Sequence, residues 1–206
     1  MPARRTSAKG AARREQILAT ALRVIGEQGF RAATLRGIAR AAGMETAHVL
    51  YYFGSREGLL REVIERWDAG ATATAAAAGG ADALEVYAAA VRRNLSVRGA
   101  MHLHLSFAAE AVDADHAAHT FFRDRFARTE RGIADALCAG QEAGLVRADL
   151  DPARAARLLV ALADGLQLQS LMDTDLDVRA DIDAALDDLF TGGKRVPLVP
   201  THDEPR

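Results

Sequence analysis

Cysteine, proline, aromatic residues and long apolar runs are all scarce in this chain of 206 residues. Its one cysteine, Cys138, cannot form a disulfide within the chain, so nothing ties the protein to an oxidising compartment. No run of about 18 apolar residues occurs, which argues against a transmembrane helix. The beginning, MPARRTSAKG, lacks the apolar stretch of a secretory signal. We therefore expect a cytoplasmic protein that makes no contact with a membrane.

The first fourteen residues offer an alternative, because they contain arginine and lysine but no acidic residue. Such a composition also fits an organelle transit peptide. The helical pattern begins almost immediately afterwards, and we therefore keep the cytoplasmic interpretation.

Strand patterns are also absent, since no segment alternates polar and apolar residues with a period of two. Apolar residues recur instead at helical spacing, which predicts an all-α protein of about nine helices. The predicted segments are residues 11–28, 34–41, 45–51, a fourth helix from Ser55, and then 81–97, 100–112, 116–143, 152–171 and 178–190. The last sixteen residues hold three of the five prolines, which predicts a loose tail.

Charge is distributed unevenly along the chain. Residues 1–66 contain 12 lysines and arginines against 6 acids, a balance of +6, whereas residues 67–206 contain 14 against 22, a balance of −8. A basic front part joined to an acidic remainder is typical of a protein whose front meets a polyanion. Ordinary surface charge explains the same numbers equally well, so charge alone does not decide.

Aromatic residues, only 5% of the chain, crowd into the stretch GMETAHVLYYFGSREGLL, residues 43–60. Two short helices joined here by a glycine turn follow a longer helix, and together they have the dimensions of a helix-turn-helix. The small core of such a unit would consist of Ile38, Ala39, Met44 and Val49. The outer side of its second helix, which can touch bases or sugars of DNA, would carry Thr46, Ala47, His48 and Tyr51.

Flanking residues can contact the DNA backbone or a base edge. Tyr52, Ser55 and Arg56 lie where the chain would leave the groove, and they offer a phenol, a helix N-terminus and a guanidinium to phosphates. Arg36, near the start of the supporting helix, can reach a guanine edge. Thr34 is expected to cap that helix at the same surface, and we include it among the DNA-binding candidates.

The stretch TLRGIARAAGMETAHVLYYFGSREGLL resembles the N-terminal domain of the TetR (tetracycline-repressor-like) family of transcriptional regulators. The resemblance runs from about Arg14 to Leu60 and includes the glycine turn and the Ser-Arg-Glu start of the fourth helix. Two positions depart from the family pattern: Glu45 stands where serine is usual, and Leu50 where tyrosine is common and often meets the phosphate backbone. Leucine cannot donate a hydrogen bond, whereas glutamate can accept one from a cytosine amine, so Glu45 stays among the DNA-binding candidates.

The resemblance also implies a domain order and a set of partners. We expect a flexible basic tail, a helix-turn-helix domain, a larger helical domain for ligand binding and dimerisation, and a second flexible tail, at residues 1–10, 11–58, 59–190 and 191–206. The segment RAARLLVALADGLQLQSLMD is similar to the penultimate helix of relatives grouped with the choline-responsive repressors. A homodimer, a double-stranded DNA operator and a small-molecule effector follow as the expected assembly and partners.

Two apolar stripes near the end of the chain predict the dimer interface. Meeting their symmetry mates, they would build an intermolecular four-helix bundle. The alternative is that both stripes face only their own core. The stripes consist of Leu158, Leu159, Leu162 and Leu166 on one helix and Ile182, Leu186, Leu189 and Phe190 on the next.

Bulky or polar side chains on helices otherwise rich in alanine and leucine are candidates for an effector pocket, because such pockets are mainly apolar with a few placed polar groups. An aromatic side chain at helical spacing is more often plain core, and the sequence leaves that alternative open. The candidates are Trp67, Tyr87, Met101, His104, Phe107, Phe122, Phe126 and Gln167.

Metal binding and catalysis find little support in the sequence. His102 and His104 are two positions apart and point in opposite directions on a helix, whereas His116 and His119 can share a metal but supply only two ligands. Cys138 lacks the local signature of a nucleophile and is better interpreted as a small buried hydrophobe. We expect no metal, no cofactor and no enzymatic activity.

The leading hypothesis is a repressor that binds a pseudo-palindromic operator as a homodimer and is released by a small apolar or amphipathic molecule. The alternative is a helical small-molecule-binding or adaptor protein that does not bind DNA. A steep salt dependence of binding to duplex DNA would separate the two, because a DNA-binding head releases counterions from the phosphates.

Overall fold

Helices account for nearly all regular structure in the computed structural model, which describes residues 8–77 and 82–194. Nine α-helices and one turn of 3₁₀-helix, Phe30–Ala32, occur in these residues. The bounds are α1 Ala8–Gln28, α2 Leu35–Ala41, α3 Thr46–Phe53, α4 Arg56–Ala77, α5 Ala83–Ser96, α6 Arg98–Glu110, α7 His119–Glu142, α8 Pro152–Met172 and α9 Val178–Asp187. The all-α prediction is confirmed. Within the same ranges, no helix has the length and hydrophobicity that crossing a bilayer requires.

Several helix boundaries follow capping residues that the sequence makes visible. The Thr34 hydroxyl accepts the Gly37 N–H at 3.0 Å and opens α2, and Asp151 caps α8 by accepting the Arg154 N–H at 3.1 Å. Gly144 follows α7 with a φ of 70°, in the left-handed region that glycine adopts without a Cβ clash.

Other boundaries differ from the predicted ones. The helix α1 begins at Ala8 rather than at residue 11, and α9 ends at Asp187. The chain then extends so that Phe190 pairs with Val146 in an isolated antiparallel bridge, which ends the helical pattern early. The predicted end of the alanine run at Gly79-Gly80, most of the basic tail and most of the C-terminal tail lie outside the described residues.

One compact unit contains the described residues through Trp67 together with Val97–His119. Its helices α1 and α6 cross where two glycines meet. A Cβ on Gly99 would lie 2.8 Å from the Leu22 carbonyl oxygen and 2.9 Å from the Gly26 nitrogen. The two backbones therefore approach closely because neither glycine carries a side chain, and α6 packs directly on the helix that precedes the helix-turn-helix.

The second unit contains the described residues of Asp68–Ser96 and those from Thr120 onward. Its core draws apolar side chains from α5, α7, α8 and α9, and an ion pair between Arg92 and Asp183 joins α5 to α9 at 2.5 Å. The buried core residues include Leu84, Val91, Ile133, Leu137, Leu159, Val160, Ile182, Leu186 and Phe190. This division differs from the predicted one, in which residues 59–190 form a single domain, because α6 packs with α1 in the first unit.

Candidate nucleic-acid interface and effector region

A helix-turn-helix is formed by α2 and α3. The turn passes through Gly43, whose φ of 66° favours glycine, and the Met44 N–H donates to the Ala39 carbonyl at 3.0 Å. Ile38 and Val49 are fully buried on the inner side, as predicted, whereas Met44 is only half-buried. The inner side is thus fixed by apolar packing, which leaves the opposite side of α3 available to a partner.

The outer face of α3 consists of side chains that water can reach. Leu50 is 41% exposed and Tyr51 is 69% exposed, whereas Thr46 and Tyr52 are half-buried. The exposed residues of this face are Ala47, His48, Leu50 and Tyr51. Leu50 was not among the predicted contacts because it cannot donate a hydrogen bond, yet its position on this face is the same as that of its predicted neighbours.

The C-terminal end of α3 is held by Arg14 of α1. The Arg14 Nη1 donates to the Tyr52 carbonyl oxygen at 2.8 Å, and the guanidinium also pairs with the Glu62 carboxylate of α4. Its Cζ lies 4.7 Å from the centre of the Phe53 ring. One guanidinium therefore connects α1, α3 and α4, a role that the sequence motif alone did not reveal.

A cleft of about 500 Å³ lies between the start of α1 and Tyr52. Its lining is partly basic and adjoins the end of the recognition helix. The lining residues are Lys9, Gly10, Ala12, Arg13, Gln16 and Tyr52. Lys9 and Arg13 were missed as candidate contacts, although the absence of acidic residues from the first fourteen positions was a signal for them.

Two predicted contact residues serve as helix caps. The Thr34 hydroxyl caps α2, and the Ser55 hydroxyl accepts the Gly58 N–H at 2.9 Å at the start of α4. Each hydroxyl still has a proton to donate, so capping does not exclude a phosphate contact. Arg36 and Glu45 are both exposed, and Glu45 occupies the cap position of α3 without a side-chain cap bond.

The Arg56 side chain is directed into its own unit. Its Nε donates to the Ala33 carbonyl oxygen at 3.0 Å, and its Nη1 donates to the Glu110 carboxylate at 3.0 Å. Its Cζ lies 4.7 Å from the centre of the Phe30 ring, and 23% of the side chain is exposed. These contacts differ from the predicted phosphate contact and give the guanidinium partners within the protein.

The eight predicted effector residues fall in both units. In the first unit, Met101, His104 and Phe107 are buried on α6, and Trp67 is half-buried on α4. The Phe107 ring centre lies 6.3 Å from that of Phe30, so this side chain also serves the core of the unit. The alternative of plain core thus has direct support at Phe107.

In the second unit, Phe122 and Gln167 are buried, and Tyr87 and Phe126 are partly buried. The Gln167 side chain accepts from the Asn94 amide at 2.9 Å and donates to the Ala163 carbonyl at 3.0 Å. Gln167 therefore fixes α8 to α5, because its amide has a partner on each side.

Tyr87 belongs to a polar group inside the second unit. Its hydroxyl donates to the Leu159 carbonyl at 3.4 Å. Burial, followed by the negative charge of Asp164, raises the pKa of Tyr87 far above its ordinary value, so the phenol stays protonated. Burial alone would lower the pKa of Arg125, but its two hydrogen bonds to Asp68, at 2.8 and 2.9 Å, keep it raised and the guanidinium charged.

The two stripes predicted to form the dimer interface have different environments. On α8, Leu158 is 59% exposed and Leu162 is 39% exposed, whereas Leu166 is partly buried. Leu168 and Met172, which the prediction did not include, are 45% and 77% exposed on the same helix.

The prediction for α9 has to be corrected. Ile182, Leu186 and Phe190 are at most 2% exposed and pack in the core of their own unit, with Leu189 partly buried against it. The helix packs its apolar stripe on α5 and α8, so these side chains are not available to a second copy.

Nothing in the described ranges gathers three or more histidine, cysteine, aspartate or glutamate side chains that could hold a metal ion. His116 and His119 have separate partners: the His116 Nδ1 accepts the Ala118 N–H at 3.2 Å, and the His119 Nδ1 lies 3.0 Å from the Ala111 carbonyl oxygen. Cys138 is exposed, which corrects its interpretation as a buried hydrophobe.

Comparison with known families agrees with this architecture. Residues 17–63 match the model for bacterial regulatory proteins of the tetR family, and residues 81–191 match the model for the C-terminal part of BetI-type transcriptional repressors. The chain belongs to the TetR family of transcriptional regulators.

Individual relatives are similar over different lengths. The transcriptional repressor KstR2 of Rhodococcus jostii is 29% identical over 123 residues, which cover 60% of this chain and 54% of that protein. The chain thus matches about half the length of that relative. The regulator BetI of Paraburkholderia phytofirmans is 29% identical over 185 residues, which cover 85% of this chain and 90% of that protein.

Among solved structures, a TetR-family regulator from a Rhodococcus species gives a TM-score of 0.72 at 24% identity, covering 86% of this chain and 98% of that one. A transcriptional regulator from Saccharomonospora viridis, solved in complex with choline, gives a TM-score of 0.71 at 26% identity, covering 87% and 98%. The first of these likenesses concerns the fold alone.

Proposed function

We propose that this protein is a repressor that binds a pseudo-palindromic operator as a homodimer and releases it when a small molecule binds. The observation that carries the proposal is the outer face of α3, where Ala47, His48, Leu50 and Tyr51 are exposed on a helix whose other side is buried. A recognition helix needs this division, because its outer side chains must reach base edges in the major groove.

The basic cleft supports the same proposal. Lys9 and Arg13 beside Tyr52 place cations next to the end of α3, where the sugar-phosphate backbone flanks the groove. Each phosphate neutralised by a side chain contributes about 0.9 to the slope of log affinity against log salt. Arg13→Gln should therefore reduce the slope by about this amount and weaken all duplexes alike. An unchanged slope would remove the cleft from the interface.

The exposed stripe of α8 supports a homodimer. Leu158, Leu162, Leu168 and Met172 expose apolar surface along one helix, and such patches on a folded unit mark interaction sites. A two-fold axis would pair the patch with its own copy, as self-complementary interfaces do. Two heads held by one dimer then match an operator with two half-sites.

For the effector, the polar and aromatic residues of the second unit support an amphipathic molecule with a cationic group. Tyr87 and Phe126 supply aromatic rings, and the negative charge of Asp164 acts on Tyr87, as does the positive charge of Arg125, which is itself paired with Asp68. Aromatic faces and a carboxylate are the groups that attract a quaternary ammonium ion. The choline bound to the Saccharomonospora viridis relative is consistent with this class.

The effector proposal is tested with choline and its uncharged carbon analogue, each titrated while the fluorescence of the single tryptophan, Trp67, and operator binding are followed. Choline should weaken operator binding by about 5- to 150-fold, and the analogue by less. Saturation of the Trp67 signal without any change in operator affinity would favour the alternative function, a small-molecule-binding adaptor. Absence of salt-dependent duplex binding would favour it more strongly.

A further inference from the structure

We propose that Arg56 is a positioning residue that ties the end of α6 to the DNA-binding head, which consists of α1, α2 and α3. In this role it does not neutralise a DNA phosphate. The inference rests on the proposed DNA-binding function. It assigns to Arg56 a role different from that of a basic residue at the start of a helix beside the recognition helix, where a phosphate contact is the simplest expectation.

Three residues outside α4 supply partners to Arg56, and the Glu57 carboxylate on α4 itself lies 3.8 Å from its Nη1. The Nε bond goes to Ala33, which directly precedes the cap of α2, and the Nη1 bond goes to Glu110, the last residue of α6. The third partner, the Phe30 ring, belongs to the 3₁₀ turn between α1 and α2. One side chain at the first position of α4 therefore contacts the start of the helix-turn-helix and the end of α6 together.

The geometry depends on a guanidinium. Its Cζ lies over the Phe30 ring, while its N–H groups donate in two directions, to a carbonyl oxygen and to a carboxylate. A lysine at position 56 would keep the positive charge but lose the Nε–H and the flat surface. The single substitution Arg56→Lys therefore separates the effect of the positive charge from the effect of the contacts that the guanidinium makes.

Arg56 holds the end of α6 opposite to the glycine crossing. Near its beginning, α6 meets α1 at Gly99 and Gly26. At its end, Glu110 is bound by Arg56, and Phe107 one turn earlier packs near the Phe30 ring. Both ends of α6 are therefore attached to the head, and the second attachment directly adjoins α2. A displacement at the end of α6 would act on the start of the helix-turn-helix through this guanidinium.

The first experiment compares Arg56→Lys, Arg56→Gln and the control Arg61→Gln. Arg61 lies on the same helix and pairs with Glu65 at 4.0 Å, so its loss removes one positive charge from α4 without touching α6. The probe is a duplex that the wild-type protein selects from a random-sequence pool, titrated at several salt concentrations. Arg56→Lys should bind about tenfold more weakly with an unchanged salt slope, because the arrangement of the head is altered while the number of neutralised phosphates is not.

A direct phosphate contact by Arg56 predicts a different pattern. If Arg56 neutralises a phosphate, Arg56→Lys will bind like the wild type, and Arg56→Gln will reduce the salt slope by about 0.9. That outcome overturns the proposal. Equal, wild-type binding by all three variants overturns it as well.

A second experiment does not need DNA. A double-mutant cycle of Arg56→Gln and Glu110→Gln is followed by denaturant unfolding, and hydrogen exchange is measured at the end of α6. The two losses should be less than additive, and either substitution should speed exchange near Glu110. Additive losses with unchanged exchange would show that the contact does not hold α6. Should the wild type select no duplex, the proposed function fails, while this cycle still decides whether Arg56 fixes α6.

Discussion

The outer faces of α3 and α8 both expose apolar side chains to water, but different charges surround them. Beside α3, the cleft at Tyr52 is lined by Lys9 and Arg13. On α8, exposed leucines continue to Met172, and the exposed arginines are confined to the first two turns of the helix. Exposed apolar area indicates a partner, and the surrounding charge indicates which one. On this ground we propose a polyanion as the partner of the α3 face and a second copy of the same chain as the partner of the α8 face.

The helices α8 and α9 sharpen this comparison, because their apolar stripes look alike in the sequence and differ in the structure. Leu158 on α8 is 59% exposed, whereas Leu186 on α9 is 0% exposed. The spacing of apolar residues in the sequence identifies an apolar helix face, but it does not show whether that face is covered by the same chain or by another.

The largest effect is expected from Leu186→Ala. Removing a fully buried leucine side chain leaves a cavity in the second unit and should cost about 2 to 5 kcal/mol in the free energy of unfolding. Urea unfolding at a fixed protein concentration measures this loss. A smaller loss accompanied by dissociation into folded monomers would restore Leu186 to the dimer interface.

Leu162→Glu should disrupt the dimer but leave the subunit folded, in contrast to Leu186→Ala. A charge placed at this exposed position of α8 is tolerated by the isolated subunit but costly inside an apolar interface. We expect helical monomers in light scattering and circular dichroism, with weakened operator binding. Ala139→Glu, at an exposed position on α7, is the matched control and should leave the assembly unchanged. Dimers of Leu162→Glu would contradict an α8 interface.

A smaller effect is expected at Leu50 on the α3 face. An exposed leucine on a recognition helix can pack on the C5-methyl group of thymine. Replacing the contacted thymine by deoxyuridine should weaken binding by about 0.8 kcal/mol, roughly fourfold. In Leu50→Ala the two duplexes should bind alike. A fourfold difference that persists in Leu50→Ala would assign the methyl contact to another residue.

The sequence predicts the all-α fold and the helix-turn-helix well, because capping residues and turn glycines act locally. Thr34, Gly43 and Asp151 occupy the positions that their chemistry predicts. Long-range contacts are harder to foresee. Gly26 and Gly99 are far apart in the chain, and neither looks different from a helix-weakening glycine until α1 and α6 are seen to cross.

The same limitation applies to arginine. In the sequence, Arg14 and Arg56 both belong to the basic front part. In the structure, Arg14 pairs with Glu62 and Arg56 pairs with Glu110, both within the first unit. Lys9 and Arg13 instead line an open cleft. Net charge shows only that the front part is basic, whereas the positions of the acidic partners separate arginines bound within the protein from candidate phosphate contacts.

Selection of duplexes from a random-sequence pool by the full-length protein tests the central claim most directly. A dimer that presents two copies of α3 should enrich a pseudo-palindrome whose half-sites are separated by about one helical turn, near 34 Å, or somewhat more. Its binding should weaken steeply as salt increases, because several phosphates are neutralised together. Failure to enrich any sequence, with binding that does not depend on salt, would contradict the assignment of the α3 face to DNA.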